Sequence, residues 1–317
     1  MMTESLWILV PLLVLPIVLL FRFVGCCDDP KVSDEVVTGQ STVPNYKDTI
    51  LLEPSVIAYW RLVDVAAAAE AKDEKVRDGV SRNGLYKTAP QSNGDAPTAT
   101  QAGSEAAGGD FDQGQTSLIL SEPSTTKCRK FNGGYVLVDK PGLYTDDFTI
   151  EAWIDARWSL KQGYEHTLFR AGGYYRRPFE SSLAHHGFRV FANATDGWQV
   201  SFFVSSPESD VKLTSSPAVT HNGRTHLVVT VAHIGPGLKK KVALFINGKL
   251  GGSGEANYYS APQGAPLFIG IDNLAADPSV TPLLRCPVLS LIQEVVLYNK
   301  ALSEQEIGKH FSINREF

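Results

Sequence analysis

The sequence predicts an all-β domain of the sandwich or barrel type, preceded by one membrane-spanning segment. Three observations predict it. From Ser117 onward, short runs of alternating apolar and polar residues recur about every ten positions. Two of these runs end on the turn dipeptides Asp196-Gly197 and Asn247-Gly248, whose residues accept positive φ. The N-terminal stretch Leu6 to Phe21 is an unbroken apolar run with no polar face.

Counted from Leu6 to Val24, with Arg22 snorkelling toward the headgroups, the first segment reaches the ~20 residues a spanning helix needs. Pro11 and Pro16, costly in a water-exposed helix, are tolerated in a membrane. Met1 to Ser5 carries Glu4 and none of the basic residues of a cleaved signal peptide. Phe23-Val24-Gly25-Cys26 loosely resembles a bacterial lipobox, so residues 1–27 read as a retained single-pass anchor, with a lipoprotein signal as the alternative. Cys26 and Cys27 stand at the membrane border, where cysteines can be acylated. Arg22 favours a cytoplasmic C-terminal side, and Asp28 and Asp29 count for little, whereas a recognition role argues for the extracellular or periplasmic side, so the orientation stays open.

Residues 28–49 are polar and aperiodic, as a stalk would be. The sandwich then runs from 50 to 317. Ile50-Leu51-Leu52 and Val56 to Leu62 read as its first strands, interrupted at Pro54. Residues from about 89 to 114 are rich in Gly, Ala, Ser, Gln and Thr and read as an insertion or long loop. In the run Phe148–Asp155, Phe148, Ile150, Ala152 and Ile154 point one way, and Thr149, Glu151, Trp153 and Asp155 the other. Phe188–Ala192 and Trp198–Phe202 form one hairpin around Asp196-Gly197, and Val242–Ile246 leads into a second at Asn247-Gly248. Leu227–Val231 and Leu291–Tyr298 are further buried strands. Ser303 and Glu306 form a capping box for one helix, Glu304 to about Phe311.

A net charge of −5 and a pI near 5.8 give no basic face, so nucleic acid is not an expected partner. Lys239-Lys240-Lys241 reads as a solvated sheet edge. The stretch Gly163 to Gly187 reads as an irregular loop that gathers Tyr164, Tyr174, Tyr175, Arg176, Arg177, Phe179, His185 and His186. Tyrosine and arginine dominate binding hot spots, so these residues are the candidate ligand site; the alternative is a loop whose aromatics cover the core. Ser181-Ser182 with His185-His186 lacks a nucleophile elbow. Glu151 and Asp155 share a face but lie about 13 Å apart at ~3.3 Å per residue. Glycoside hydrolysis needs carboxylates roughly 5 to 9.5 Å apart, so no catalytic residue is assigned. Calcium is the one cofactor with candidate ligands: Asp272, Asn273, Asp277 and Asp146-Asp147 are hard oxygen donors, although such residues also serve turns. Asn193-Ala194-Thr195 is a glycosylation sequon.

Several of these segments together resemble the laminin-G-like, concanavalin-A-like jelly-roll superfamily of surface proteins. Val56-Ile57-Ala58-Tyr59-Trp60-Arg61-Leu62 is similar to its opening strand, and Asp78-Gly79 with Asn83-Gly84-Leu85-Tyr86 to the loop that follows. Phe131–Val136, Phe148–Ile154, His226–Val231, Phe245–Lys249 and Phe268–Gly270 resemble its middle strands in order. Leu291 to Ser303 resembles its closing strand, with Gln293 where an aspartate is usual, a departure that removes an acidic group a calcium site would use. The resemblance implies a two-sheet antiparallel jelly-roll sandwich preceded by a single transmembrane helix. It also brings Cys128 and Cys286, which precede neighbouring strands, close enough for one disulfide, the alternative being two buried thiols. The implied function is non-catalytic recognition or adhesion toward a glycan or protein ligand. The alternatives are a homo- or hetero-oligomeric subunit of a surface, virion or phage-tail-like assembly, and, more remotely, a glycoside hydrolase.

Overall fold

The computed structural model describes residues 45–64, 68–88, 111–155, 165–176, 183–193, 197–203, 213–214, 223–237, 239–256, 259, 261–262, 264–273 and 284–314. Leu6, Phe21, Arg22, Cys26 and Cys27, expected from the sequence to form an anchor, lie outside them. No helix among the described residues is long and apolar enough to cross a membrane.

Two antiparallel sheets form the sandwich. The first has six strands: β1 (Val56–Trp60), β18 (Ile292–Tyr298), β7 (Phe148–Asp155), β12 (Arg224–His233), β13 (Lys240–Ile246) and β14 (Lys249–Ala256), in that order. The second has eight: β11 (Leu213–Thr214), β10 (Gly197–Phe203), β9 (Leu183–Asn193), β8 (Glu165–Arg176), β15 (Leu267–Ile269), β6 (Tyr135–Val138), β3 (Gly84–Lys87) and β2 (Glu70–Ala71). Two short pairs complete the β-structure, β4 (Phe111–Thr116) with β5 (Lys127–Phe131), and β16 (Asp272–Asn273) with β17 (Leu284–Arg285).

Period-two alternation builds the core. Phe148, Ile150, Ala152 and Ile154 of β7 meet Val136, Phe188 and Val190 of the opposite sheet in one cluster. Yet all eight residues of β7 are buried, because its other face is covered as well. The cover is α1 (Tyr46–Leu52), α2 (Glu304–Ile313) and the segment around Leu118 and Ile119. The capping box at Ser303 and Glu306 is present, and α2 ends on Ile313. Asn247 and Gly248 adopt φ of +52° and +74° as the β13–β14 hairpin requires, and a Cβ on Gly248 would come within 2.9 Å of the Phe311 ring of α2.

Three sequence expectations change here, and one open alternative, that of the cysteines, is decided. Ile50-Leu51-Leu52 is helical: Asn45 caps α1 by accepting from Asp48 N, and Tyr46 and Ile50 are its buried face. Residues 46–49 therefore belong to the folded domain, not to the stalk. Residues 111–114, read within the insertion, lie in β4 and pair with β5. Lys240 is buried on an interior strand, its Nζ 3.3 Å from Asp147 Oδ1. Finally, Cys128 and Cys286 are free buried thiols. Cys128 Sγ donates to the carbonyls of Thr116 and Gln115, while Cys286 Sγ points at Glu165 Oε2, 3.9 Å away. Burial pushes the two thiols up to about 12 and about 11.

Candidate functional site

The outer faces of the two sheets carry the polar chemistry. On the six-stranded sheet, the residues of β7 that alternate away from the core place Glu151 under α1 and α2, fully buried. Each carboxylate oxygen has two donors. Oε1 accepts from Tyr46 Oη of α1 and from His226 Nε2 of β12 at 2.7 Å. Oε2 accepts from Tyr298 Oη of β18 at 2.7 Å and from His310 Nδ1 of α2 at 3.0 Å. Burial alone would raise the Glu151 pKa, but His310 and His226 beside it hold it well below the usual carboxylate range. In return, burial opposes charge on His310, and Glu151 overrides it and raises the imidazole pKa. A carboxylate with four protein donors under two helices joins distant parts of the chain; it presents no oxygen to a substrate.

Beside it, β18 carries a bulge between Gln293 and Val296, with Glu294 at φ +55°. The bulge turns Glu294 onto Tyr59 Oη and Arg61 Nε, and Arg61 also pairs with Glu122. Gln293, the departure from the resembled motif, is buried: its Oε1 accepts from Leu118 N at 2.7 Å and its Nε2 donates to Ser117 Oγ at 2.9 Å. It anchors the covering segment.

On the eight-stranded sheet, the stretch expected to be an irregular loop is largely a β-ribbon. β8 and β9 pair from Glu165↔Asn193 out to Arg176↔Leu183. Tyr174 stands opposite His185, Tyr175 opposite Ala184, and Gly173 opposite His186, so five of the eight predicted ligand residues occupy the outer half of one hairpin. Tyr164, Arg177 and Phe179 lie outside the described residues. Midway along this pairing, Gly172 and Gly187 face each other at φ of +106° and +113°. A Cβ on Gly187 would come within 2.1 Å of Ala171 O, so only glycine lets the two backbones approach this closely.

Arg170 and Arg189 are the outward-alternating residues on the core side of that glycine pair. They converge on Asp272 of β16, with Nε atoms 3.4 and 3.5 Å from its oxygens, and Arg285 of β17 adds a third guanidinium at 3.2 Å. Arg189 also bonds Glu165 at 2.8 Å and lies 4.1 Å over the Phe191 ring. Asp272, a sequence candidate for calcium, thus has its charge met by arginines. Asn273 accepts from Arg170 through its main-chain oxygen. Asp147, another candidate, accepts from His233 N and Lys240. Among the described residues there is no cluster of His, Cys, Asp and Glu able to hold a metal ion. The arginines were missed in the sequence, although each is a charge inside an apolar run, which calls for a buried partner.

No curated protein matches the chain by sequence. Among solved structures it is similar to the binding domain of botulinum neurotoxin DC in complex with SialylT, at 11% identity and a TM-score of 0.45, covering 83% of this chain and 52% of that one. It thus spans about half the length of that structure. It is also similar to domain 4 of AbnA, a GH43 extracellular arabinanase from Geobacillus stearothermophilus in complex with arabinotriose, at 14% identity and a TM-score of 0.45, covering 81% and 98%. A Trypanosoma rangeli sialidase aligns at 14% identity and a TM-score of 0.45, covering 82% and 33%. By sequence, residues 131–308, more than half of the chain, match the family described as the concanavalin A-like lectin/glucanases superfamily. The chain belongs to the concanavalin A-like lectin/glucanases superfamily.

Proposed function

We propose that this chain is a non-catalytic, membrane-tethered recognition module that binds a carbohydrate, or a protein, through the outer half of the β8–β9 ribbon. The observation that carries this reading is the register that places Tyr174 opposite His185 and sets Tyr175 and Arg176 beside them, beyond a glycine pair and an arginine cluster. Aromatic faces stack on sugar rings, and arginine forks bind carboxylates and hydroxyl-rich edges. A family that spans lectins and glucanases favours carbohydrate as the ligand class. Its non-catalytic character is supported by Glu151, the acid on β7 that the sequence puts forward, whose four acceptor positions are filled from within the fold. The apolar run Leu6–Phe21 supports the tether, with the sandwich on the extracellular or periplasmic side.

The test is an oligosaccharide array probed with the full chain in detergent micelles, beside a Tyr174→Ala/His185→Ala double variant. Binding by the parent, weakened roughly tenfold or more in the variant, is the expected result. A silent array together with a symmetric multimer in native extracts would favour an assembly subunit instead. Hydrolysis of a polysaccharide that disappears in Glu151→Gln would overturn the non-catalytic reading.

A further inference from the structure

Six large apolar side chains are exposed among the described residues, and isolated ones are ordinary on any surface. Three of them are not isolated. Leu52, 80% exposed, ends α1; Val76 and Val80, 61% and 36% exposed, flank the tight turn at Asp78-Gly79. The two segments are locked together: Lys75 Nζ donates to Leu51 O at 2.6 Å, and Lys47 of α1 pairs with Glu74 at 2.8 Å. Glu74 N in turn bonds Tyr59 O on the edge strand β1, which fixes the pair to the sandwich. Exposed apolar side chains carried on two joined elements are candidates for a contact with something that covers them.

We infer that this face rests on the surface of the lipid bilayer, an inference that builds on the tether proposed above. The position of the tether identifies the occupant. Residue 45 caps α1, and Leu52 lies at the other end of that helix, about 10 Å away at 1.5 Å per residue. Seventeen residues, 28–44, separate Cys27 from that cap and span at most roughly 60 Å, so the tether enters the domain at the end that carries this face. Three apolar side chains would hold a free protein to a bilayer only weakly, but a tether supplies the second signal that a weak contact needs. Charge makes the contact apolar in character: Lys47, Lys72, Lys75 and Arg77 are interleaved with Asp48, Glu53, Asp73, Glu74 and Asp78, so neither sign dominates. Zwitterionic phosphatidylcholine therefore suffices, and salt has little influence. The recognition domain would lie in one fixed attitude on the membrane instead of tumbling at the end of a stalk.

The test reconstitutes the full chain in phosphatidylcholine liposomes with a photo-crosslinking amino acid at position 52, 76 or, as control, 250. Leu250 is 51% exposed on β14, at the opposite edge of the six-stranded sheet from β1, about 24 Å away at ~4.8 Å per strand. Lipid adducts at 52 and 76 at least about fivefold above those at 250 are expected, unchanged in 0.5 M salt by design of the contact. Introducing Leu52→Glu should reduce the adduct at 76 by a similar factor while leaving the thermal transition in place. If the chain resists carbonate extraction but gives no lipid adduct at 52 and 76, or crosslinks there to protein, the docking surface is wrong and the tether stands. If carbonate releases the chain, both fall.

Discussion

Each outer face of the sandwich centres on a buried carboxylate, and the two are held in opposite ways. Glu151 is met by two tyrosines and two histidines from α1, β12, β18 and α2, elements spread from residue 46 to residue 310. Asp272 is met by Arg170, Arg189 and Arg285, and Arg189 also reaches Glu165. The first arrangement uses up its charge in joining the two ends of the domain across the sheet. The second joins β8, β9, β16 and β17 beside the continuation of the β8–β9 pairing. A buried charge alone therefore does not mark a recognition face; both carboxylates are met from within the fold.

This contrast can be broken from either side. Glu151→Ala should have the largest effect, because it strands four buried donors at once. A loss of about 3–5 kcal/mol is expected in urea denaturation, with glycan binding by the folded fraction unchanged. A loss below 1 kcal/mol would mean that the helices dock without the carboxylate. Asp272→Ala should cost less, about 2–3 kcal/mol, because Arg189 keeps Glu165 and Thr167 as partners. It should also alter binding at the ribbon, which Glu151→Ala should not. Gly187→Ala comes next. Positive φ and the Ala171 carbonyl together should cost about 1–3 kcal/mol, with a matching loss of ligand binding; retained binding would show that the ribbon's approach to the core is irrelevant to the site.

Legibility in the sequence followed the range of the interactions. The Asn247-Gly248 hairpin, the Ser303–Glu306 capping box and the alternation of β7 rest on neighbours within a few residues, and each is read directly from them. The seven residues of α1 are too few to be stable alone, and they are helical because Tyr46 and Ile50 bury against the sheet. Their apolar run Ile50-Leu51-Leu52 looks equally like a strand. Glycines and mixed charge hid the β8–β9 ribbon in the same manner, since its pairing comes from the partner strand. The sequence places Glu151 on one face with Asp155, and nothing near it announces the cover. Tyr46 lies 105 positions before it and His310 159 positions after. The candidate ligand residues were found by composition; their grouping on facing strands was not.

The smallest effect concerns pH and sharpens the description of the Glu151 centre. His310 has its folded pKa raised above the ordinary 6.5 by Glu151, so its contribution to stability is full below pH 6.5 and is lost as pH rises through the folded value. Glu151 has its folded pKa lowered below the ordinary 4.5, so its contribution is full above pH 4.5 and is lost as pH falls through the folded value. Both are complete only between about pH 4.5 and 6.5, so the centre is strongest in mild acid. Denaturation midpoints measured across this range and up to pH 9 should decline on the alkaline side, and His310→Gln should flatten that limb while leaving the acid limb. Glu294, whose carboxyl is pushed up by burial against the pull of Arg61, titrates identically in both proteins and cancels in the difference. If parent and variant decline together, the histidine meets Glu151 as a neutral donor. The His310 contact would then be a hydrogen bond from a neutral imidazole to the anion.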